Sequence, residues 1–158
     1  MTPFRHVRHL VTRFFGVVMS TRLGPNAQYE IAALLNATEA DLFWRQQPID
    51  QRHSFQVAQR VAATVGANRE AMAAALLHDV GKAQSNVGPI GRSLATVLDA
   101  LHLPLPDRWR RYRDHGALGA AELERIGASR LAVSFARGDR GTDQDPVLWQ
   151  ALVDADNA

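Results

Sequence analysis

The sequence predicts an all-α protein, a single-domain helical bundle of about seven or eight helices. Apolar residues recur at helical spacing in several segments, and no run shows the sustained alternation that is typical of a β-strand. A chain of 158 residues is long enough to bury one hydrophobic core. Because no repeat, low-complexity segment or linker divides the sequence, residues 1–158 are expected to fold as one domain.

The predicted helices begin with three N-terminal segments. The first covers residues 3–19, where apolar side chains repeat at helical spacing. The sequence "LGPN" at residues 23–26 breaks the chain, and a second helix then extends to about Leu35. The third starts within residues 37–44, where Thr38 is the candidate N-cap because its hydroxyl can accept from a backbone N–H group.

Two helices with clear start and stop signals follow. One covers residues 48–66, with Asp50 as the candidate cap and Gly66 at its end. The other contains the apolar stretch "AMAAALLHDVGK" at residues 71–82, and Asn68 could cap it. The second of these helices is alanine-rich and reads as buried along its whole length.

The remaining helices are predicted near residues 90–102, 107–126, 128–137 and 146–156. Pro146 suits the start of the last helix, because the first turn of a helix does not use its own N–H groups. With these segments the chain forms an architecture in which helices pack on helices around one core.

The composition narrows the classes of protein and of metal site. The sequence contains no cysteine, which excludes disulfides and thiolate metal sites, so a bound metal would need His, Asp or Glu ligands. The apolar stretch at residues 14–20 is too short to span a bilayer, and the segment before it lacks the layout of a secretory signal. We therefore expect a cytoplasmic protein with no membrane partner.

Two basic clusters, at residues 5–9 and 108–113, carry much of the local positive charge. Basic clusters with aromatic residues can bind nucleic acid, and the second cluster could also line an entrance for phosphate. The formal net charge of the chain is only +2, and charge on one helical face is usually solvated. We interpret the clusters as solvated helix faces and expect no nucleic-acid partner.

The apolar helix ends in a pair of side chains that can bind metal, His78 and Asp79. A buried carboxylate without partners is very costly, so Asp79 needs a cation or several hydrogen-bond donors. A divalent metal would meet that need. Gly81 is expected to let the chain leave the helix sharply, and Lys82 would lie near the same point.

Ligands from distant parts of the chain could complete a site. His53 belongs to an inward-facing stripe with Val57 and Val61, and Asp156 lies one turn beyond the apolar Leu152. Two imidazoles and two carboxylates suit a divalent cation such as Mn, Fe, Ni, Co, Zn or Mg. Asp154 remains an alternative to Asp156 as the last ligand.

Three motifs occur in the chain in a particular order: His53, "LLHDVGK" at 76–82 and "DAD" at 154–156. In these motifs and their order, the sequence resembles the HD-domain superfamily of metal-dependent phosphohydrolases. The resemblance covers about residues 50–158 and implies an HD-domain-like core. Residues 1–45 then form an N-terminal helical extension that packs on this core or contributes to a homodimer. The resemblance also implies that four residues bind the divalent cation, namely His53, His78, Asp79 and Asp156.

His115 looks like the additional histidine of superfamily members that bind two metals. The later segment that would supply further histidines, residues 133–141, contains none, although Asp139 could substitute as an oxygen ligand. We therefore expect one metal. His115 would then contact the substrate phosphate or transfer a proton.

The function implied by the resemblance is hydrolysis of a phosphomonoester or phosphoanhydride by a metal-activated water. The small phosphorylated substrate is expected to be a nucleotide. The catalytic residues are then Asp79, Lys82 and His115, and Arg52, Lys82 and His115 contact the substrate, because cations stabilise the charge that accumulates on phosphate oxygens. The alternative is a catalytically weak or inactive HD-type module that binds metal or nucleotide.

Overall fold

The computed structural model describes residues 22–85, 106–141 and 144–158. Every regular element in these ranges is helical and none is a strand, which confirms the all-α prediction. The helices predicted at residues 3–19 and near 90–102 lie outside the described residues. None of the helices in the described ranges is long and apolar enough to cross a bilayer.

The helices in the described ranges are, in chain order, α1 (Pro25–Leu34), α2 (Ala37–Trp44), α3 (Pro48–Val65), α4 (Arg69–Leu77), a 3-10 helix (Val80–Ser85), α5 (Asp107–Arg113), α6 (His115–Arg125), α7 (Arg130–Arg137) and α8 (Pro146–Asp156).

The helix starts show which cap signals were interpreted correctly. Asn36, not Thr38, caps α2, because its side chain accepts from the backbone N–H of Glu39 while the Glu39 carboxylate accepts from the Asn36 N–H. At α4 the prediction is confirmed, since the Asn68 side chain accepts from the N–H of Ala71 at 3.0 Å. A capping box therefore starts α2 two residues earlier than a Thr38 cap would.

The start of α3 also differs from the prediction. The helix begins at Pro48, with Gln47 in the N-cap position, so the proposed cap Asp50 is wrong: it lies buried within the first turn. Proline is favoured at the first position because its fixed φ suits the helix. Gly66 ends the helix with φ 76°, in the positive range that glycine adopts without strain.

Helix α4 forms the middle of the core. It packs against α1, α2, α3, α7 and α8, and its alanines at 71, 74 and 75 are fully buried. Such small side chains let neighbouring helices approach closely. Leu76 and Leu77 are also 0% exposed, and burying each contributes about 1.5–3 kcal/mol. Because α4 is fixed on several sides, the residues at its C-terminal end are held in place.

The segment predicted as one helix at 107–126 is two helices, α5 and α6. The chain bends at Asp114, whose φ and ψ of −89° and 15° lie outside the α-helical region. His115 is therefore the first residue of α6 rather than a residue in the middle of a longer helix. This break places the histidine beside the end of α4.

Gly81 has a different role from the one expected. It lies in the 3-10 helix and is not one of the glycines with positive φ in the described residues. A Cβ atom at Gly81 would come 2.0 Å from the backbone oxygen of His115 and 2.6 Å from the backbone nitrogen of Gly119. The residue is glycine because the backbone of α6 packs directly on it, and this contact sets the position of His115.

Candidate metal centre

Three separate helices bring His53, His78 and Asp156 together. His53 lies on α3, His78 caps the C-terminus of α4, and Asp156 is the last residue of α8. The Oδ1 atom of Asp156 lies 2.9 Å from His53 Nε2 and 3.3 Å from His78 Nε2. One nitrogen from each imidazole and one carboxylate oxygen all lie within 4.8 Å of one another, so these three residues could hold a metal ion.

A hydrogen bond to the backbone sets the orientation of His78. Its Nδ1–H donates to the carbonyl oxygen of Ala75 at 2.8 Å. In the neutral imidazole the lone pair of Nε2 then faces the Asp156 oxygen, and two acceptor atoms at this distance require a proton or a cation between them. A backbone partner of this kind is typical of metal-binding histidines. The donor set therefore fits a divalent cation.

The charges of the group are strongly coupled. Burial lowers the pKa of His78, but the hydrogen bond with Asp156 and the nearby charges of Asp79 and Asp156 outweigh it, so this pKa lies above the ordinary 6.5. Hydrogen bonds from His53 and then from His78 hold the pKa of Asp156 far below the ordinary 3.8. The carboxylate thus remains ionised, and a positive charge beside it is favoured.

Asp79 lies next to this group but is not part of it. Its side chain is only 4% exposed, and Oδ2 lies 3.4 Å from His78 Nε2 and accepts a hydrogen bond from the Lys82 ammonium. Burial raises the pKa of Asp79, but the charges of His78 and Lys82 and the Lys82 hydrogen bond reverse that effect and lower it. Asp79 is therefore a buried carboxylate anion, and its role as a ligand stays a prediction.

His115 faces the other oxygen of Asp79, with 3.7 Å between His115 Nε2 and Asp79 Oδ1. Its side chain is 32% exposed, so the imidazole is accessible from solvent. The bend at Asp114 and the backbone contact with Gly81 place it there. The expected neighbours of the site, Lys82 and His115, are thus both present.

Asp154 and Asp139 lie outside the group. Asp154 is exposed and accepts a hydrogen bond from the side chain of Gln150, so of the two candidate last ligands only Asp156 faces the histidines. Asp139 is exposed, and its carboxylate accepts from the N–H of Gly141. Asp139, the predicted oxygen ligand of a second metal, therefore does not belong to the group of His53, His78 and Asp156.

A cavity of about 600 Å³ opens above the metal-capable group. The six site residues that line it are His53, His78, Asp79, Lys82, His115 and Asp156. Arg113 and Arg137 contribute positive charge to the same cavity. Arg52 is exposed on α3 and is not one of its lining residues, so its role in substrate binding stays a prediction.

Phe135 and Arg137 were missed in the sequence. The ring of Phe135 packs against His78 with 5.5 Å between ring centroids, and on its other side it contacts Trp149 at 5.6 Å. Arg137 follows on the same helix. Both belong to the segment at 133–141, where the sequence was read only for metal ligands. An aromatic residue two positions before an arginine and a glycine was the available signal.

No protein-family model, curated protein or solved structure matches this chain. The comparisons therefore show no family, and the case for a function depends on the cavity. Its geometry combines a metal-capable group, a buried carboxylate with a bound lysine, and a half-buried imidazole.

Proposed function

We propose that this protein is a cytoplasmic metal-dependent phosphohydrolase of the HD-domain type. The observation that carries the proposal is the convergence of His53 Nε2, His78 Nε2 and Asp156 Oδ1 at a cavity that also contains Lys82 and His115. Grouped imidazole and carboxylate atoms are a common ligand set for first-row divalent metals. The sequence resemblance adds the same residues in the same order.

The metal would be held by His53, His78 and Asp156, with Asp79 as the candidate fourth ligand. A divalent cation bound there would supply an activated water and polarise a phosphoryl oxygen. Asp156 and Asp79 provide the negative charge that favours a cation, and His78 is fixed in the correct orientation by its bond to Ala75. The three helices that carry the ligands are packed on one another, so the group is preorganised.

Lys82 is positioned to bind the substrate phosphate. Its ammonium donates to Asp79 Oδ2, which fixes it at the cavity next to the metal-capable group. An ammonium held in this way can stabilise charge on phosphoryl oxygens as the bond to the leaving group breaks. Asp79 therefore orients Lys82, whether or not it also binds the metal.

His115 is the candidate for proton transfer. Its imidazole is partly exposed in the cavity, and Asp79 Oδ1 lies 3.7 Å from its Nε2. A neighbouring carboxylate can orient an imidazole and stabilise its protonated form. His115 could then donate a proton to the leaving oxygen of the substrate.

The cavity favours a small phosphorylated substrate. Its volume of about 600 Å³ lies in the range of ~300–1,000 Å³ that is usual for small-molecule sites. The positive side chains Lys82, Arg113 and Arg137 suit phosphate groups, and a nucleotide is the substrate class that the resemblance suggests. The cleaved bond would be a phosphomonoester or a phosphoanhydride.

A second candidate function is a module that binds metal or nucleotide without hydrolysing it. The observation that favours it is that Asp79 is engaged by Lys82, which leaves three residues in the metal-capable group. Such a module would bind the cation and the phosphorylated ligand but would show no turnover. Measuring binding and hydrolysis on the same preparation separates the two functions.

The proposal is tested by metal analysis followed by a phosphatase screen. Purified protein is loaded with Mn, Mg, Co, Ni or Zn and assayed on nucleotides and other phosphate esters. We expect about one metal per chain and metal-dependent release of phosphate, and we expect His78→Ala and Asp79→Ala to lose both while remaining folded. Stoichiometric metal retained in both variants, measured against Asp154→Ala as the control, would refute the site as described.

A further inference from the structure

A second pocket lies beside the main cavity, at α7 and the segment that follows it. It has a volume of about 360 Å³. Its described lining residues include Arg130, Arg137 and Arg140 and one carboxylate, Glu124. Among these described lining residues, three guanidinium groups stand against one carboxylate, an excess of positive charge that favours an anionic ligand.

Arg137 lines both the second pocket and the main cavity. The two spaces are therefore adjacent and share one guanidinium group. Arg137 donates to the Glu124 carboxylate at 2.6 Å, and the two side chains are 46% and 54% exposed. An ion pair as exposed as this contributes little to stability, so the guanidinium can exchange Glu124 for a stronger anion.

The chemistry of the pocket points to phosphate rather than to an undefined anion. A guanidinium presents a planar set of N–H donors that binds two phosphate oxygens at once. Arg140 makes no ion pair or side-chain hydrogen bond with the residues that the structure describes, so none of them occupies its donors. The hydroxyl of Ser134 accepts from Gln144 and can still donate its own proton to a ligand.

We propose that the pocket of Arg130, Arg137 and Arg140 is an anion subsite for one phosphate group of an extended ligand. The other phosphate of that ligand lies at His53, His78 and Asp156, and this half of the inference rests on the proposed function. The preferred substrate therefore carries two separated phosphate groups, as polyphosphates and bisphosphorylated nucleotides do. A ligand with one phosphate fills only the main cavity.

Binding of inorganic tripolyphosphate tests the subsite directly. Calorimetric titration of the metal-free protein is compared with the variant Arg130→Gln/Arg140→Gln. We expect the affinity of this variant for tripolyphosphate to be about ten-fold lower than that of the wild type, because two charge-assisted contacts are lost while Arg137 remains. The control Arg45→Gln/Arg125→Gln removes the same charge from exposed pairs with Asp41 and Glu122 and should leave the affinity unchanged.

The inference is overturned if the pocket variant binds tripolyphosphate as tightly as the wild type, or if the control variant loses the same affinity. The variant Asp156→Ala separates the anion subsite from the proposed function, since this substitution removes a metal ligand and leaves the arginines in place. We expect this variant to bind tripolyphosphate and to lose metal. If the wild type hydrolyses nothing while the arginine variant still loses affinity, the proposed function fails and the anion subsite stands.

Discussion

His78 and Asp79 form a buried side of the main cavity, whereas the arginines that line it are exposed. His78 and Asp79 have side chains that are 9% and 4% exposed, and their partners come from the backbone and from neighbouring helices. Arg113 and Arg137 are about half exposed and pair with the acidic surface residues Asp114 and Glu124. Both sides line the same space, but only one is fixed by the core.

The two sides of the cavity suit different tasks, metal binding on the buried side and ligand exchange on the exposed side. Buried charges are costly to leave unpaired, so the fold must hold them at fixed distances, as a metal ion also requires. Exposed ion pairs are weak and exchange partners readily, which suits a ligand that enters and leaves. Changes on the buried side should therefore alter the free energy of unfolding and metal binding, and changes on the exposed side should alter ligand affinity.

Filling the backbone contact on the buried side should have the largest effect. Gly81→Ala places a methyl group 2.0 Å from the His115 carbonyl oxygen, and neither backbone can move freely. We expect the free energy of unfolding to fall by about 3 kcal/mol, near the upper end for overpacked sites. Chemical denaturation measures this change.

The control for that variant is Gly24→Ala. No atom of the described residues lies within 4 Å of a Cβ added at Gly24, and its φ of −68° is open to any residue. We expect a change within about 0.5 kcal/mol. Equal stability of the two variants would show that the Gly81 contact does not constrain the fold.

Removing a ligand from the metal-capable group should abolish most of the metal affinity. Asp156→Ala deletes the oxygen that faces both imidazoles, whereas Asp154→Ala deletes an equal charge on the exposed side of the same helix. We expect a loss of about 100-fold or more for the first variant, beyond the ~10–100-fold typical of residues that only support a ligand. Titration with Zn or Mn measures it, and an equal loss in both variants would contradict the assignment.

Acidification should weaken metal binding through His78. Its pKa in the metal-free protein lies above 6.5, so below that pKa a proton occupies the imidazole and must be displaced. We expect the affinity to fall about ten-fold for each pH unit below the pKa of His78. A metal affinity that is constant between about pH 8 and about pH 6 would exclude His78 as a ligand.

Through His78, the stability of the metal-free protein should fall as the pH rises, whereas its metal affinity should rise. The raised pKa of His78 means that its charged form stabilises the fold, fully so below pH 6.5 and progressively less as the pH rises through the folded pKa. The lowered values of Asp79 and Asp156 add stability above pH 3.8 that is lost on strong acidification. Thermal unfolding from about pH 6 to about pH 8 with His78→Gln as the control measures the first effect.

The smallest effect is expected on the exposed side. Arg137→Gln removes the guanidinium shared by the two pockets but only a surface pair with Glu124. We expect less than about 1 kcal/mol of stability to be lost, with metal affinity unchanged and the Kd for tripolyphosphate raised several-fold. A loss of metal affinity in this variant would show that the two sides are not independent.

Much of the fold and the metal-capable group could be predicted from local patterns. Helical periodicity and end signals such as Asn68 and Gly66 depend on a few neighbouring residues, and the structure confirms both. The inward stripe of His53 and the apolar neighbours of His78 and Asp156 indicated which side chains face the core. The structure brings these three residues together.

The remaining features depend on contacts between distant segments. The break at Asp114 and the role of Gly81 follow from the packing of α6 on the 3-10 helix, which no local pattern records. Arg137 belongs to a surface ion pair and resembles any solvated arginine in sequence. Arg52 was predicted to contact the substrate because it is a cation. Although it is next to His53 in sequence, neighbouring residues on a helix point about 100° apart, and Arg52 lies outside the cavity lining.

Counting the imidazole ligands of a bound metal tests the central claim most directly. X-ray absorption at the zinc edge of the Zn-loaded protein should show two imidazole nitrogens at about 2.0–2.1 Å, with one remaining in His53→Ala. The same spectrum from wild type and His53→Ala, or a zinc without imidazole ligands, would contradict the assignment of His53, His78 and Asp156 as a metal centre.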